Sequence, residues 1–180
     1  MKNKTLLLSC CAPCSCAVIE KMAAGTSSAA TLCVVFYNPN IRPFEEYVKR
    51  REENRKLCGK YGAAFVELEY DPERWAALTK GLEDEPERGK RCDICFKMRL
   101  SRVMEYAKAN GFEKVGSVLG VSRHKDLEQV NRAAAGATRA LGIEYVLIEG
   151  RKDGMQERRE ELIKELGLYE QKYCGCMPRG

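Results

Sequence analysis

The chain has 180 residues, 44% of them hydrophobic and 32% charged, with a formal net charge of +5. That length suits one domain with a single sizeable core, and the balance excludes a disordered chain. The mild positive excess leans towards a polyanionic partner without naming one.

From the N-terminus, Thr5-Leu6-Leu7-Leu8 is an apolar run of strand length, and Cys14 to Ala24 follows with helical spacing. Between them lie Cys10, Cys11, Cys14 and Cys16, so four thiols sit where a first strand hands over to a first helix. In an open α/β sheet that turn lies at the carboxyl edge, where ligands bind. Thr31 to Tyr37 reads as a buried strand, and Asn38 to Pro43 as a rigid turn. Phe44 to Tyr61 reads as a helix with Phe44, Val48 and Cys58 inward and Lys49, Arg50 and Arg51 outward. Ala64 to Glu69 is a third strand, Arg74 to Lys80 a short helix, and polar Gly81 to Arg91 a mobile loop. Then come a helix from Asp93 to Asn110, a strand from Lys114 to Leu119, a helix from Leu127 to Leu141, a strand from Glu144 to Ile148 and a helix from Met155 to Leu166. This alternation predicts an α/β fold in one domain, a parallel sheet with helices on both faces.

Ten cysteines would suit a secreted disulfide scaffold, but such scaffolds are usually much smaller. The apolar stretch after Met1-Lys2-Asn3-Lys4 is too short for an export segment of roughly 7–15 residues, and no run reaches transmembrane length. The expectation is therefore a cytoplasmic protein with reduced thiols. Cys33 in a strand and Cys58 on an apolar helix face read as structural, while Cys16 is ambiguous. Seven others fall into three clusters: Cys10, Cys11 and Cys14; Cys92 and Cys95; Cys174 and Cys176.

Cys92 and Cys95 form a C-x2-C at a helix start, where the dipole favours thiolates. Alone, that spacing also fits a thioredoxin-like dithiol. With Cys10 and Cys11 it makes four thiolates, and adjacent cysteines suit a polynuclear iron–sulfur cluster better than one tetrahedral zinc. Basic residues recur around this set: Arg88, Lys90 and Arg91 before Cys92, Arg99 after it, Arg123-His124-Lys125 after the fourth strand and Arg151-Lys152 after the fifth. Such a ring could grip a nucleic-acid backbone, with His124 either a proton donor or an ordinary surface histidine.

The motifs Cys-Cys-Ala-Pro-Cys-Ser (10–15), Asn-Pro-Asn-Ile-Arg-Pro (38–43), Glu-Tyr (46–47), Arg-Cys-x-x-Cys-Phe (91–96), Arg-Leu (99–100) and Leu-Gly-Leu-Tyr-x-Gln-x-Tyr-Cys-Gly-Cys (166–176) resemble the cobalamin-independent epoxyqueuosine reductases of the QueH type, in order and over nearly the whole chain. The early chain also resembles the nucleotide-activating α-hydrolase (HUP-like) proteins, which implies a Rossmann-like sheet with cysteines in place of the phosphate loop. The family resemblance implies reduction of epoxyqueuosine to queuosine at the tRNA wobble position by a [4Fe–4S] enzyme with an unidentified electron donor. It implies Cys10, Cys11, Cys92 and Cys95 as cluster ligands. Cys14, Cys174 and Cys176 become candidates for a second mononuclear metal, iron, or for a thiol role. Asp93 is a candidate extra ligand or acid, with helix capping as its alternative. Lys90, Arg91, Arg99 and Arg123 would meet tRNA, and Tyr37, Phe96 and Tyr173 are candidates for an aromatic shelf under an unstacked base. Residues 167–180 would fold back over the site as a cysteine-bearing tail. A zinc-stabilised tRNA-binding module and a thiol–disulfide oxidoreductase using Cys92 and Cys95 are the rival readings.

Overall fold

In the computed structural model, residues 4–25 and 32–176 are described. Thr31 and Met177 to Gly180, part of the expected strand and tail, lie outside them. Three consecutive leucines, Leu6 to Leu8, are wholly buried in β1 (Thr5–Ser9). Every residue of β2 (Leu32–Phe36) is buried as well. Such unbroken apolar runs belong to strands covered on both faces, and β1 and β2 pair in parallel, Thr5 opposite Leu32. The sheet is completed by β3 (Ala64–Glu67), β4 (Lys114–Ser117) and β5 (Glu144–Val146), in the order β3-β2-β1-β4-β5 and parallel throughout.

Six α-helices among the described residues cover the sheet: α1 (Ala12–Ala24), α2 (Phe44–Lys60), α3 (Pro72–Leu78), α4 (Lys90–Ala109), α5 (Leu127–Leu141) and α6 (Met155–Leu166). α1 packs on α2 and α6, and α4 packs on α3 and α5, giving two helical layers. The strand order reverses direction beside β1, so the crevice outside the ends of β1 and β4 is the place where an α/β sheet binds ligands. The Cys10–Cys16 turn opens there. This is the single α/β sheet expected from the sequence, Rossmann-like in its winding.

The differences from expectation have local causes. Asp71 accepts a bond from Arg74 N at 3.1 Å, which caps α3 and starts it at Pro72 rather than Arg74. Gly89 opens α4 at Lys90 instead of Asp93. The segment 81–91, expected as a mobile loop, is a chain of turns pinned from several sides. Arg91 Nη1 donates to Leu82 O at 3.3 Å and Glu83 O at 2.5 Å, and Gln129 Nε2 donates to Arg88 O at 2.7 Å. On α2 two inward–outward assignments reverse. Phe44 is 53% exposed and stacks on Tyr47, whereas Arg50 is buried.

Arg50 is buried because the tail covers it. Its Nε pairs with Glu46 Oε1 at 2.7 Å, while Nη1 and Nη2 donate to Cys174 O at 2.9 Å and Tyr173 O at 3.2 Å. Glu46 Oε2 in turn accepts from Tyr169 at 3.1 Å. Gly167 in the left-handed region (φ 59) ends α6 and turns the chain into this segment. Gly175 (φ 126) lies where a Cβ would sit 2.8 Å from the buried Ile41 side chain, so no larger residue fits without strain. Its carbonyl accepts from Arg42 N at 2.8 Å.

Removing one partner of a buried ion pair strands the other charge. Arg50→Met should therefore cost about 3–5 kcal/mol in urea unfolding and open the tail to trypsin at Lys172. An unchanged midpoint with an uncut tail would show that the clamp carries no weight.

Candidate metal and thiol site

α1 begins with Ala12 and Pro13 in its first turn, and its N-cap, Cys11, makes no side-chain capping bond. The sulfurs there stay free for one another. Cys10, Cys11 and Cys14 are buried, with sulfur atoms within 4.8 Å of one another; Cys10 and Cys11 Sγ are 3.8 Å apart. A buried polar net holds the turn from below. Ser9 Oγ donates to Asn54 Oδ1 at 2.5 Å, Ser15 Oγ to Cys11 O at 2.8 Å, and Asn38 Nδ2 to Ser9 O at 2.9 Å.

The electrostatics give this group one stabilised thiolate. Bonds from the Cys11 and Cys14 thiols hold Cys10 well below the usual thiol range, helped by Lys125 and Arg99. Cys11 is pushed up by burial and by donating to Cys10, and Cys14 goes up to about 12, chiefly by its bond to Cys10. Lys125 is 4% exposed, with Nζ 3.5 Å from Cys10 Sγ. Burial alone would lower its pKa, yet the negative charge on Cys10, Cys174 and Cys14 raises it overall, so it stays a cation.

The tail brings the other sulfurs. A bond from Cys176 lowers Cys174 to about 5, aided by Lys125 and Arg99, and Cys176 is raised by the same bond. The charge on Cys174 bears on both Cys92 and Cys95. Burial pushes Cys92 up to about 11 and also raises Cys95. Raised thiol pKa values are the reverse of an activated dithiol, which counts against the thioredoxin-like reading. Among the described residues the tight sulfur group is Cys10, Cys11 and Cys14, not the C-x2-C pair, and Cys174 links the two electrostatically. Cys16 points the other way, its Sγ donating to Pro13 O at 3.5 Å and Arg159 O at 3.9 Å. Cys33 and Cys58 are core residues raised to about 11 and about 12 by burial.

Several expected site residues lie elsewhere. Because α4 starts at Lys90, Arg91, Cys95 and Arg99 recur every four residues along one inward face. Arg99 is 0% and Arg91 5% exposed, so neither stands on a surface rim. Arg99 Nε donates to Tyr37 O at 3.2 Å and its Nη2 to Asn38 Oδ1. Asp93 falls on a different face of the helix; its side chain is 51% exposed and nearest Arg132, at 3.9 Å. It neither caps α4 nor joins the thiols. Tyr37 and Phe96 are core residues, which removes them as a stacking shelf, and Tyr173 lies with its ring centre 5.1 Å from the Arg50 guanidinium. Lys90 and Arg123 are exposed as expected. So are Arg88, which donates to Arg123 O at 2.5 Å, and Arg151, which donates to Ser122 O at 2.6 Å.

Sequence reasoning counted Lys125 only in a basic ring for a nucleic-acid backbone, whereas it is buried against Cys10, and it missed Arg50 and Gln171 as parts of the site. Gln171 Nε2 donates to Cys11 Sγ at 2.7 Å. Only Arg50 left a local signal, its i,i+4 spacing from Glu46.

Residues 5–178 match the family described as epoxyqueuosine reductase QueH. The epoxyqueuosine reductase QueH of Histophilus somni (strain 129Pt) is 44% identical over 176 residues, covering 97% of this chain and 71% of that protein. The protein of that name from Haemophilus influenzae is 43% identical over 176 residues, covering 97% and 71%. That from Dehalococcoides mccartyi is 33% identical over 178 residues, covering 98% and 92%. With thiols from the β1–α1 turn, α4 and the tail gathered at the sheet's carboxyl edge, and with this match over nearly its full length, the chain belongs to the epoxyqueuosine reductase QueH family of oxidoreductases.

Proposed function

We propose that this enzyme reduces epoxyqueuosine to queuosine at the wobble position of tRNA with a [4Fe–4S] cluster, acting as one catalytic domain in the cytoplasm. The observation that supports this reading most directly is the packing of three buried thiols, Cys10, Cys11 and Cys14, beside the buried cation Lys125, with Cys174 of the tail in the field of Lys125 and Arg99. Soft thiolates in excess of four are the donor set of an iron–sulfur site with sulfurs to spare. The cations offset the negative charge that such a set concentrates. A lone structural zinc would leave three of the seven thiols unused.

Cys10, Cys11, Cys92 and Cys95 would hold the cluster, and Cys14, Cys174 and Cys176 a second iron or a thiol function. The cluster, when bound, supplies electrons one at a time. In the overall reaction both epoxide C–O bonds break and a C=C bond forms. Two electrons enter from an external one-electron donor, and the oxygen leaves with two protons as water. The chain's own part is to bind and to orient. Residues 167–176 of the tail, held by Arg50 at the Tyr173 and Cys174 carbonyls, would close over the site and exclude water, and Lys125 would stabilise the thiolates facing it. Exposed Arg88, Lys90, Arg123 and Arg151 would meet the anticodon-loop phosphates, with Arg91 and Arg99 supporting the site from inside.

Cys92→Ser and Cys95→Ser should abolish the brown chromophore and most bound iron in anaerobically purified protein, since a hydroxyl is a poor ligand for a cluster iron. Cys33→Ser and Cys58→Ser should keep the iron while losing about 1–3 kcal/mol of stability. The reverse pattern would refute the ligand assignment, and a colourless protein holding one zinc and no sulfide would favour the binding module.

Cys174→Ala and Cys176→Ala should retain most of the cluster absorbance yet lose epoxide reduction, as followed by conversion of the tRNA nucleoside. Turnover at the parent rate would make the tail purely structural.

For the rim, Lys90→Ala and Arg123→Ala should each reduce the slope of log K against log salt by about 0.7–0.9 for every phosphate no longer neutralised. The cluster spectrum should stay as in the parent. Unaltered slopes in both variants would move the tRNA to another face.

A further inference from the structure

Among the described residues only one aromatic side chain is exposed: Phe44, with 53% of its surface in water. We propose that Phe44 is the ring on which the tRNA stacks a base of its anticodon loop, the neighbour of the modified nucleotide. This rests on the function proposed above and names a contact that seats its substrate.

A lone surface phenylalanine is ordinary. What sets this one apart is first its backing. Phe44 stacks on Tyr47 with ring centres 5.9 Å apart and planes 14° from parallel, and Tyr70 lies against it at 5.3 Å. The two supporting rings are themselves 4.1 Å apart. Tyr47 is buried, its hydroxyl donating to Glu67 Oε1 at 2.9 Å, and Tyr70 OH donates to Ile41 O at 2.8 Å. The ring is therefore ordered before anything binds, which lowers the entropy cost of a contact made on it.

Its place is set by the tail. β2 ends at Phe36 on the carboxyl edge of the sheet, and residues 37–43 lead from there to Phe44, the first residue of α2. Two positions before the ring, Arg42 N donates to Gly175 O at 2.8 Å, and Arg42 O accepts from Tyr173 OH at 2.5 Å. Gly175 separates Cys174 from Cys176, so the shelf is anchored on the segment that carries the tail thiols. A base next in the strand to one inserted among those thiols has this lip to rest on.

The neighbouring charges favour a base over a bare run of phosphates. Arg42 is exposed and held, its guanidinium over the Trp75 ring at 5.6 Å and its Nη2 donating to Pro72 O at 3.3 Å. Glu45, on the other side of Phe44 in the chain, is exposed too. Arg42 is thus balanced, and stacking has to carry the contact. Any base offers a π-face for it.

The test measures binding of holoenzyme to one tRNA carrying epoxyqueuosine. Phe44→Ala should weaken binding about tenfold, the size of one lost base–aromatic stack. The slope of log K against log salt should not change, because no phosphate contact is removed. Phe44→Leu, which keeps apolar bulk without a ring, should weaken binding nearly as much, and Phe44→Trp should bind at least as tightly as the parent. Iron and sulfide content should stay at parent values in all three. If the parent reduces the tRNA and Phe44→Ala binds it with parent affinity, the shelf is overturned. Parent affinity in Phe44→Leu would make the contact plain apolar packing and overturn stacking. Loss of iron together with affinity would assign the ring to holding the sheet edge, and a parental dimer that Phe44→Ala dissociates would assign it to a second copy of the chain; either overturns the proposal. A parent that neither binds nor reduces the tRNA overturns the underlying function, and this assignment with it.

Discussion

The carboxyl edge of this sheet is governed by the need to keep negative charge on buried sulfur. A thiolate out of water is stable only with donors and cations close by, and each buried cation brings its own desolvation cost. The chain meets this with Lys125 and Arg99, both buried. Neither stands alone. Arg99 is held by Tyr37 O and Asn38, Asn38 binds Ser9 O, and Ser9 binds Asn54 on α2. The requirement to neutralise sulfur thus ties α4 to the end of β2, β2 to β1, and β1 to α2. Arg50 extends the same logic to the tail by gripping two of its carbonyls.

The turn after β1 differs from a phosphate-binding loop in what its helix end faces. In a nucleotide site, free N–H groups at the start of a helix meet phosphate oxygens. Here α1 opens from Cys11 without a side-chain cap, against three packed sulfurs. The positive end of the helix dipole therefore adds to the field of Lys125 and Arg99. One fold position serves two kinds of anion, and the residue types in the turn decide which.

The sheet was legible in the sequence because buried parallel strands leave unbroken apolar runs, as Leu6 to Leu8 and Leu32 to Phe36 do. The cysteine clusters were legible as donor types. What the chain order hides is the direction of basic residues. A run such as Lys49-Arg50-Arg51 reads as a solvated face, and Arg50 is buried only because residues 173 and 174 come back over it. The start of α4 mattered in the same way. With Gly89 as its cap, Arg91 and Arg99 join the inward face, while Asp93 turns towards Arg132. Lys125 lies in a stretch that carries no periodic signal, and its partner Cys10 is 115 positions away.

The central place of β1 has a consequence for how the molecule comes to exist. β1 is hydrogen-bonded on one side to β2, Thr5 opposite Leu32, and on the other to β4, Thr5 opposite Lys114. Pairings of such separation close late and slowly, after much chain entropy has been lost. Until they close, the ten cysteines are spread along an open chain, where any thiolate can attack any disulfide that forms. Oxygen and folding thus compete for the same sulfurs. A reducing surrounding during chain collapse decides whether they end as paired disulfides at random or as the ordered set beside Lys125.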